Sequence, residues 1–414
     1  MKHSHLELNQ SAFILNPYPK LEELRENTPV FWDEVWQKTF FLRYDDISSL
    51  LRDKRLGRSL TNVLSRDELG FPPTNPRQKP FDDFQALHML DREPPDHTRL
   101  RSLVQKAFTV SRVENLRERI EGIVAGLLDG AGSSFDVHHV LAEPLPVQVI
   151  AELLGVTQEF RAKLRPWSAA IVKLYELGYS ELEMDAASNA VLEFSQMLRG
   201  LVEQRRIKAS DDLISDLVRV EEAGERLTES ELIANCILFL NAGHEATVNG
   251  TTAAILALAR DDSARATLSE AAASSSNTSS LFKTAVEEFL RFDTPLPMFE
   301  RWVLEDFDFQ TKHGEVVPLK KGQEIALMYA SGNRDPRKFS NPNTLELTRT
   351  QNAHLTFGLG THYCIGAPLA RLEMQVALHA FLKKIPDFKL ENQNLEYGKG
   401  FVIRGLQSLE ITQN

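Results

Sequence analysis

Apolar residues recur along most of this chain at the spacing of amphipathic helices, and only a few short segments have the character of strands. Helical periodicity dominates from residue 97 to 260, for example in Val113–Leu128 and Ala186–Arg206. No alternating strand–helix–strand pattern occurs, so a layered parallel sheet is not expected. The pattern predicts a mainly α protein with a small β portion. The predicted strands are Thr39–Leu42, Ile325–Met328 and Phe401–Ile403.

Proline, glycine and serine mark the predicted interruptions between these elements. A helix is predicted from Tyr44 through Leu51, and the proline-rich stretch 61–95 is predicted to be an irregular loop or flap. The low-complexity run Ala271–Ser280 favours a solvated loop between helices. One domain over residues 1–414 is expected. Its β-rich part is predicted mainly at 1–60, 295–330 and 395–412, and its helical part mainly at 97–290 and 364–385.

Composition narrows the class of protein. Of 414 residues, 42% are hydrophobic and 25% are charged, which is ordinary for a globular chain that can enclose a cofactor. The formal net charge of −11 argues against nucleic acid as a partner. The polar N-terminus has no signal-peptide core, and no apolar run approaches the ~20 residues of a membrane anchor. Only two cysteines occur, which suits reduced thiols in the cytoplasm.

The most informative segment is Phe357–Gly366, FGLGTHYCIG, which places Cys364 on a glycine-rich loop before a helix-like run. A helix N-terminus and nearby backbone N–H groups favour a thiolate over a thiol. A thiolate bound to haem iron pushes electron density onto the metal and favours O–O cleavage. The alternatives are a lone cysteine acting as a small buried hydrophobe and a glycine loop that binds phosphate. The ten-residue pattern is more specific than either.

Phe357–Gly366 resembles the haem-binding loop of the cytochrome P-450 monooxygenases of the soluble bacterial type, and the resemblance extends over nearly the whole chain. It implies a single large, triangular, helix-rich fold around a buried haem b. It also implies that Cys364 is the iron ligand and that Phe357 and Gly358 contact the cofactor.

The resemblance also implies partners for the two haem propionates. His97 and Arg101 are four residues apart, hence on one face of a predicted helix. Arg301 follows a Thr-Pro-Leu-Pro segment that is similar to the family's propionate-binding strand, and His362 lies two residues before the cysteine. For any one arginine, a solvated surface position is the alternative.

Glu288 and Arg291 have the i, i+3 spacing of a helical ion pair. An exposed pair of this kind stabilises a protein little. In the family that Phe357–Gly366 resembles, a Glu-x-x-Arg pair is buried and braces the core near the cysteine loop, and this is what the resemblance implies here.

A long apolar helix is predicted at Glu231–Leu258, and its middle resembles the family's helix over the oxygen face of the haem. The resemblance assigns proton delivery to Glu245 and expects an alcohol next, where this chain has Ala246. Thr247 lies one residue further on, rotated by ~100°. Three routes stay open: water or a substrate hydroxyl replaces the alcohol, Glu245 acts through water, or the oxidation is atypical.

Asn241 lies one turn before Glu245, where it either orients a polar atom of a substrate or bonds to a neighbouring helix carbonyl. The mostly apolar surroundings indicate a small apolar or amphipathic substrate. The pocket walls implied by the resemblance include Leu238, Asn241, Ala242, Leu296, Met298, Phe299 and Val402.

The function implied is a haem-thiolate monooxygenase that inserts one atom of dioxygen into a small molecule. Neither a cysteine set for an iron–sulfur cluster nor a dinucleotide fingerprint occurs, so electrons are expected from a ferredoxin or flavodoxin fed by an NAD(P)H reductase. Lys106, Arg337 and Lys338 form either a docking patch or an ordinary solvated surface. The alternatives are a peroxide-driven or oxidative-coupling enzyme, and a haem-binding sensor without turnover.

The remaining histidines give no second metal site in the sequence. No His-x-x-x-His pair occurs with acidic support. His138 and His139 are adjacent and are expected to point apart, and His354 is expected to serve packing or a backbone hydrogen bond. The other histidines considered for this role are His3, His5 and His244.

Overall fold

The computed structural model describes residues 2–69, 75–175, 179–220, 224–274 and 276–413. The chain divides into two compact units. The first unit comprises Met1–Leu60, Val124–Glu143 and Ala246–Asn414, and the second comprises Thr61–Ile123 and Pro144–Glu245.

Helices make up most of the described chain, as the periodicity predicts. They are α1 (Ser11–Leu15), α2 (Tyr18–Asn27), α3 (Tyr44–Leu50), α4 (Lys79–Gln85), α5 (Asp96–Ala107), α6 (Val110–Glu114), α7 (Arg117–Asp129), α8 (Pro144–Leu154), α9 (Gln158–Val172), α10 (Glu181–Ile207), α11 (Leu213–Arg219), α12 (Glu229–Arg260), α13 (Asp262–Ser274), α14 (Ser280–Phe292), α15 (Tyr329–Gly332) and α16 (Ala367–Lys384). Short 3₁₀ turns lie at Leu60–Asn62, Met89–Asp91, Lys173–Tyr175 and Gly360–His362, and a π-helix at His138–Ala142.

All named strands of the described residues belong to the first unit. They are β1 (Lys2–His3), β2 (Val30–Asp33), β3 (Lys38–Phe41), β4 (Leu56–Gly57), β5 (Ser134–Asp136), β6 (Phe299–Val303), β7 (Phe307–Gln310), β8 (Val316–Leu319), β9 (Glu324–Leu327), β10 (Phe388–Leu390) and β11 (Glu410–Gln413). The largest sheet has the order β1-β2-β3-β9-β6-β4, and the others are β10-β11-β5 and β7-β8. In the largest sheet β3 runs parallel to β9, and β9 runs antiparallel to β6.

Two hydrophobic clusters cover the faces of the largest sheet. Alternate residues of β3 go to opposite clusters: Phe40 packs with the N-terminal helices, and Phe41 packs with α3 and β9. In α14 the buried apolar residues recur at i, i+3, i+4, i+7 and i+8, which turns one stripe of the helix into the core. Because the apolar stripe is buried in the core, the rotation of α14 about its axis is fixed, and Glu287 lies on its polar side.

The second unit is built on long helices. Ser180 and Glu183 form a capping box that starts α10, because each side chain bonds the other's backbone N–H. The helix α12 continues for 32 residues, and its residues up to Glu245 belong to this unit. Its predicted extent, Glu231–Leu258, lies within the observed bounds.

Several predicted elements are confirmed within a residue or two, and three predictions are wrong. Phe401–Ile403 is not a strand, since Tyr397 and Leu406 pair in a β-bridge and leave these residues in the intervening loop. The run Ala271–Ser280 is not a loop throughout: α13 includes it up to Ser274, because alanine favours helix strongly.

The proline-rich stretch 61–95 holds helix α4 and a 3₁₀ turn at Met89–Asp91, so the expected irregular loop is wrong for these two segments, while most of the other described residues of the stretch are irregular. Pro80 lies in the first turn of α4, where a missing N–H costs nothing. Residues 70–74, with two of the prolines that motivated the prediction, lie outside the described residues.

The expectation that His138 and His139 point apart is also wrong. These residues begin the π-helix, in which the N–H of Glu143 donates to the carbonyl of His138 at 2.9 Å. The wider turn brings the two imidazole Nδ1 atoms to 3.4 Å from each other.

Candidate active site

The loop that carries Cys364 is held by its own backbone and by a close approach to another segment. Gly358 and Gly360 have φ values of +66° and +72°, which side chains other than glycine rarely adopt. A Cβ on Gly360 would lie 2.5 Å from the carbonyl oxygen of Leu51. The N–H of Cys364 donates to the carbonyl of Phe357 at 2.9 Å, which closes the loop.

Cys364 is exposed at the end of this loop, and α16 begins three residues later. Cys236, the other cysteine, is buried in α12, and burial raises the pKa of its thiol, with the charge of Asp212 adding to the effect. Neither cysteine forms a disulfide. Only Cys364 therefore combines accessibility with a helix N-terminus, the setting that favours a thiolate.

A charged brace lies behind the cysteine loop and ties α14 to α16. Glu287 of α14 accepts two hydrogen bonds from Arg371 of α16, at 2.5 and 2.8 Å. The Arg371 guanidinium also lies 4.3 Å from the centre of the Phe357 ring and donates to the Tyr363 hydroxyl at 3.3 Å. Two aromatic residues of the loop are thus fixed by one arginine.

His354 completes this brace. Its Nδ1 accepts the N–H of Thr356 at 3.3 Å, so the ring proton lies on Nε2, which donates to Glu287 at 3.1 Å. Burial alone would raise the pKa of Glu287, but hydrogen bonds from His354 and Arg371 and the charge of Arg371 outweigh it and lower that pKa to about 2. His354 thus makes a backbone hydrogen bond and also a hydrogen bond to Glu287 that the sequence did not predict.

Glu288 and Arg291 form a fully buried, bidentate pair with both contacts at 2.8 Å. Every side of the pair is satisfied: Arg291 donates to the carbonyls of Asn333 and Pro342, and Arg349 donates to Glu288 at 3.0 Å. Sequence spacing gave no indication of Arg349, which is 61 residues from Glu288 in the chain. The result is a buried charge network without an unpaired carboxylate oxygen.

A cationic cluster adjoins the loop within the first unit. Arg301 is only 3% exposed, and its guanidinium lies 5.1 Å from the Phe299 ring. Arg58 covers the same ring at 4.3 Å. The charges of both arginines lower the pKa of the Tyr329 phenol, although burial outweighs them and raises it. Tyr329 is next to the loop, since its hydroxyl lies 3.7 Å from the place of a Cβ on Gly358.

Sequence reasoning identified Arg301 in this cluster and missed Arg58 and Tyr329. No motif surrounds either of them, and only the pairing of β4 with β6 brings Arg58 to Phe299. His362 is half-buried in the 3₁₀ turn Gly360–His362, two residues before the cysteine.

In the second unit, α5 carries the other two predicted propionate partners. His97 is buried and Arg101 is half-buried, and their spacing of four residues puts them on one face of the helix.

The middle of α12 has one accessible stripe on an otherwise buried helix. Ala242 is exposed, and Glu245 and Ala246 are half-buried, at i, i+3 and i+4. Thr247 is 4% exposed and lies off this stripe, as its position in the helical turn predicts. Small residues thus leave the helix backbone approachable along this stripe.

Asn241 belongs to the buried edge of the same stripe. It is 5% exposed, and neither its amide nitrogen nor its carbonyl oxygen has a hydrogen-bond partner among the described residues. The alternative of a bond to a helix carbonyl is therefore wrong. An unpaired buried amide costs roughly 1–3 kcal/mol per group, so its presence calls for a partner that the folded chain does not supply.

The predicted pocket walls have differing environments. Leu238 is buried in α12, Leu296 and Phe299 are half-buried, and Val402 is 37% exposed. Met298 packs in the hydrophobic cluster of the N-terminal helices and β2, and its place in the pocket wall stays a prediction.

The sequence and the structure were both compared with those of known proteins. Residues 180–397 match the family model described as Cytochrome P450. The polyketide biosynthesis cytochrome P450 PksS of Bacillus subtilis (strain 168) is 37% identical over 97% of this chain and 96% of its own length. Its solved structure has a TM-score of 0.86, with 36% identity, and covers 99% of this chain and 100% of that chain.

Two further relatives are similar over nearly their full lengths. The cytochrome P450 monooxygenase PikC of Streptomyces venezuelae is 35% identical over 96% of this chain and 91% of its own. The structure of P450BioI in complex with hexadec-9Z-enoic acid ligated acyl carrier protein has a TM-score of 0.86 at 30% identity, covering 98% of this chain and 99% of that chain. With a cysteine loop braced by Glu287 through Arg371, and with relatives of this similarity, the chain belongs to the cytochrome P450 family and is a haem-dependent monooxygenase.

Proposed function

We propose that this protein oxidises an amphipathic acyl- or polyketide-type molecule, and that Asn241 bonds a polar atom of that substrate while an apolar part is oxidised. The observation that carries the proposal is the buried, unpartnered amide of Asn241. The relatives support the substrate class, since PksS is named for polyketide biosynthesis and P450BioI binds an acylated carrier protein.

The residues present fit a haem b. The exposed sulfur of Cys364 at a helix N-terminus is a suitable axial ligand, and two glycines with positive φ keep the loop free of side chains. Arg301 is a buried cation whose guanidinium lies 5.1 Å from the Phe299 ring, which suits a propionate at this place. His97, Arg101 and His362 are the other proposed propionate partners. When bound, the haem supplies activation of dioxygen for insertion of one oxygen atom.

Proton delivery is assigned to the accessible stripe of α12. Glu245 is half-buried and so can exchange protons with water while its backbone stays fixed in the helix. Ala246 offers no hydroxyl, and Thr247 is buried off the stripe. Water, or a hydroxyl of the substrate itself, therefore takes the place of the alcohol.

Electrons are proposed to come from a ferredoxin or flavodoxin with its NAD(P)H reductase. Of the three basic residues suggested for docking, Arg337 is paired with Glu26 at 2.5 Å and with Asp335, which weakens its part in such a patch. No helix of the described residues is long and apolar enough to cross a membrane. The two reduced cysteines are consistent with a cytoplasmic site of action.

The ligand assignment is tested by the optical spectrum of the reduced, carbon monoxide-bound protein. The wild type is expected to show the red-shifted band of a thiolate-bound haem. Cys364→Ser is expected to lose that band, while Cys236→Ser keeps it because a buried, protonated thiol does not bind iron. An unchanged band in Cys364→Ser contradicts the assignment.

The substrate assignment is tested by comparing two asparagines of α12. Asn235 is also buried, but it accepts the N–H of Met89 at 3.2 Å and donates to the carbonyl of Glu231 at 2.7 Å. Asn241→Leu is expected to leave the fold as stable as before or more so, and Asn235→Leu to destabilise it by about 1–3 kcal/mol.

Binding is measured by the haem spectral shift with hexadec-9Z-enoic acid and with an alkene of equal length. Asn241→Leu is expected to weaken the acid by about tenfold, the worth of one hydrogen bond to a charged group, and to leave the alkene unaffected. Equal weakening of both probes contradicts the proposed contact and leaves the cysteine assignment standing.

A further inference from the structure

A cluster of metal-ligand side chains lies in the first unit, outside the residues assigned to the haem. The π-helix follows directly after β5, whose residues pair with β11. One ligand atom from each of His138, His139 and Glu143 lies within 4.8 Å of the other two. The i→i+5 bond of the π-helix is what stacks Glu143 beside the first histidine.

The separations between these atoms match the edges of a metal tetrahedron. The Nδ1 atoms of His138 and His139 are 3.4 Å apart, and Nδ1 of His139 is 3.3 Å from Oε2 of Glu143. Ligand atoms about 2.05 Å from a tetrahedral zinc ion lie about 3.3–3.4 Å from each other. The two imidazoles are also nearly perpendicular, at 88°, and do not stack on each other.

A second carboxylate supports the cluster from behind. Oδ2 of Asp136 lies 3.7 Å from Nε2 of His139, the nitrogen that faces away from Glu143. Oδ1 of Asp136 is itself fixed by the N–H groups of His138 at 2.8 Å and Leu409 at 3.0 Å. Carboxylates in this position orient metal-binding imidazoles and increase their basicity.

The donor set selects the type of ion. Two imidazole nitrogens and one carboxylate suit zinc, copper or nickel and disfavour magnesium and calcium, which prefer all-oxygen sites. Asp136 and Glu143 together balance a divalent charge. The side chain of His139 is 57% exposed, so the ion can enter from solvent and keep water as a fourth ligand.

We propose that His138, His139 and Glu143 bind one divalent transition-metal ion of the zinc class, oriented by Asp136. The ion links the first residues of the π-helix to Glu143 at its end and stabilises this corner of the first unit. The site is independent of the haem and of its reaction.

The test uses untagged, haem-loaded protein, so that Cys364 is not available to the added metal, after treatment with a chelator. Zinc is titrated in competition with a chromophoric chelator. One equivalent is expected to bind to the wild type, and His139→Ala and Glu143→Gln are each expected to weaken binding by at least tenfold. His313→Ala, at an exposed histidine in the turn between β7 and β8, is the matched control and is expected to bind as the wild type does.

Two further readouts distinguish a built site from general surface binding. The copper-loaded wild type is expected to show an electron paramagnetic resonance spectrum with coupling to two nitrogens, which the double variant His138→Ala, His139→Ala loses. Zinc is expected to raise the unfolding temperature of the wild type and not that of the double variant. Equal zinc affinity in the wild type and the double variant overturns the proposal, as does the absence of stoichiometric binding.

Discussion

The brace behind the cysteine loop and the middle of α12 treat buried polar groups in opposite ways. In the brace, the carboxylates of Glu287 and Glu288 accept bonds from arginine, histidine and backbone donors, and almost every donor is used. In α12, Asn241 is 5% exposed, and neither of its polar atoms has a hydrogen-bond partner in the part of the chain that the structure describes. The satisfied network keeps the cysteine loop in one geometry, whereas the amide of Asn241 can still form hydrogen bonds with a bound substrate.

The largest expected effect breaks the brace at its centre. Glu288→Ala leaves Arg291 and Arg349 buried without a carboxylate, which is expected to cost about 3–5 kcal/mol and to reduce the haem bound per protein chain. Urea unfolding and the ratio of haem to protein measure the two effects. Glu346→Ala, which removes a half-exposed partner of Arg349, is the control and is expected to cost less than about 1 kcal/mol. Full haem content and wild-type stability in Glu288→Ala would show that the network is not a brace.

A second prediction sharpens the comparison within one helix. Arg371 of α16 is paired, whereas Glu373, two residues later and 2% exposed, has a buried oxygen with no hydrogen-bond partner among the residues described. Burial raises the pKa of Glu373 from 4.5 to about 8. Above pH 4.5 the unfolded chain ionises this group and the folded chain does not, so stability falls by at most about 1.4 kcal/mol per pH unit until pH 8.

Glu373→Gln removes this loss. The difference in unfolding free energy between the variant and the wild type is expected to grow from pH 5 to pH 8 by a few kcal/mol, measured by urea unfolding at each pH. A difference that does not change with pH would mean that Glu373 is ionised in the folded protein and has a partner.

A third prediction has the opposite sign with pH. The pKa of Glu287 is lowered to about 2, so its stabilising contribution is fully present above pH 4.5 and is lost as pH falls towards 2. Its side chain is 27% exposed, so the contribution is discounted for solvent to about 2 kcal/mol. Glu287→Gln is expected to be less stable than the wild type at pH 6, and the gap is expected to narrow between pH 4.5 and 3. A gap as large at pH 3 as at pH 6 contradicts this account of the lowered pKa.

Features that depend on neighbouring residues could be predicted from the sequence, and contacts between distant residues could not. Two predicted features are local: the i, i+3 spacing of Glu288 and Arg291, and the glycines before Cys364. The folded chain has the same local arrangement, because neighbouring residues stay close together in any fold. Arg349 and Arg58 reach their sites only through distant chain pairings, which no spacing records. The contact of His138 with His139 depends on a π-helical turn, which has no sequence signature comparable to helical periodicity.

The smallest expected effect concerns chemistry and not stability, and it tests the α12 side of the comparison. Ala246→Thr adds a hydroxyl on the accessible stripe, one helical turn after Ala242, and is expected to leave haem content and unfolding free energy nearly unchanged. If water or a substrate hydroxyl occupies that place in the wild type, the added hydroxyl displaces it. The fraction of electrons that is used to oxidise the substrate then changes. Hydrogen peroxide released per NADPH consumed is therefore expected to change by severalfold, a difference of about 1 kcal/mol or less in the competing barriers.

Thr247→Val is the matched control, because Thr247 is buried off the stripe and its hydroxyl is not expected to take part. The same peroxide yield in Ala246→Thr and the wild type would mean that protons reach the reaction by a route that does not pass this position, with Glu245 acting through water alone as the remaining choice.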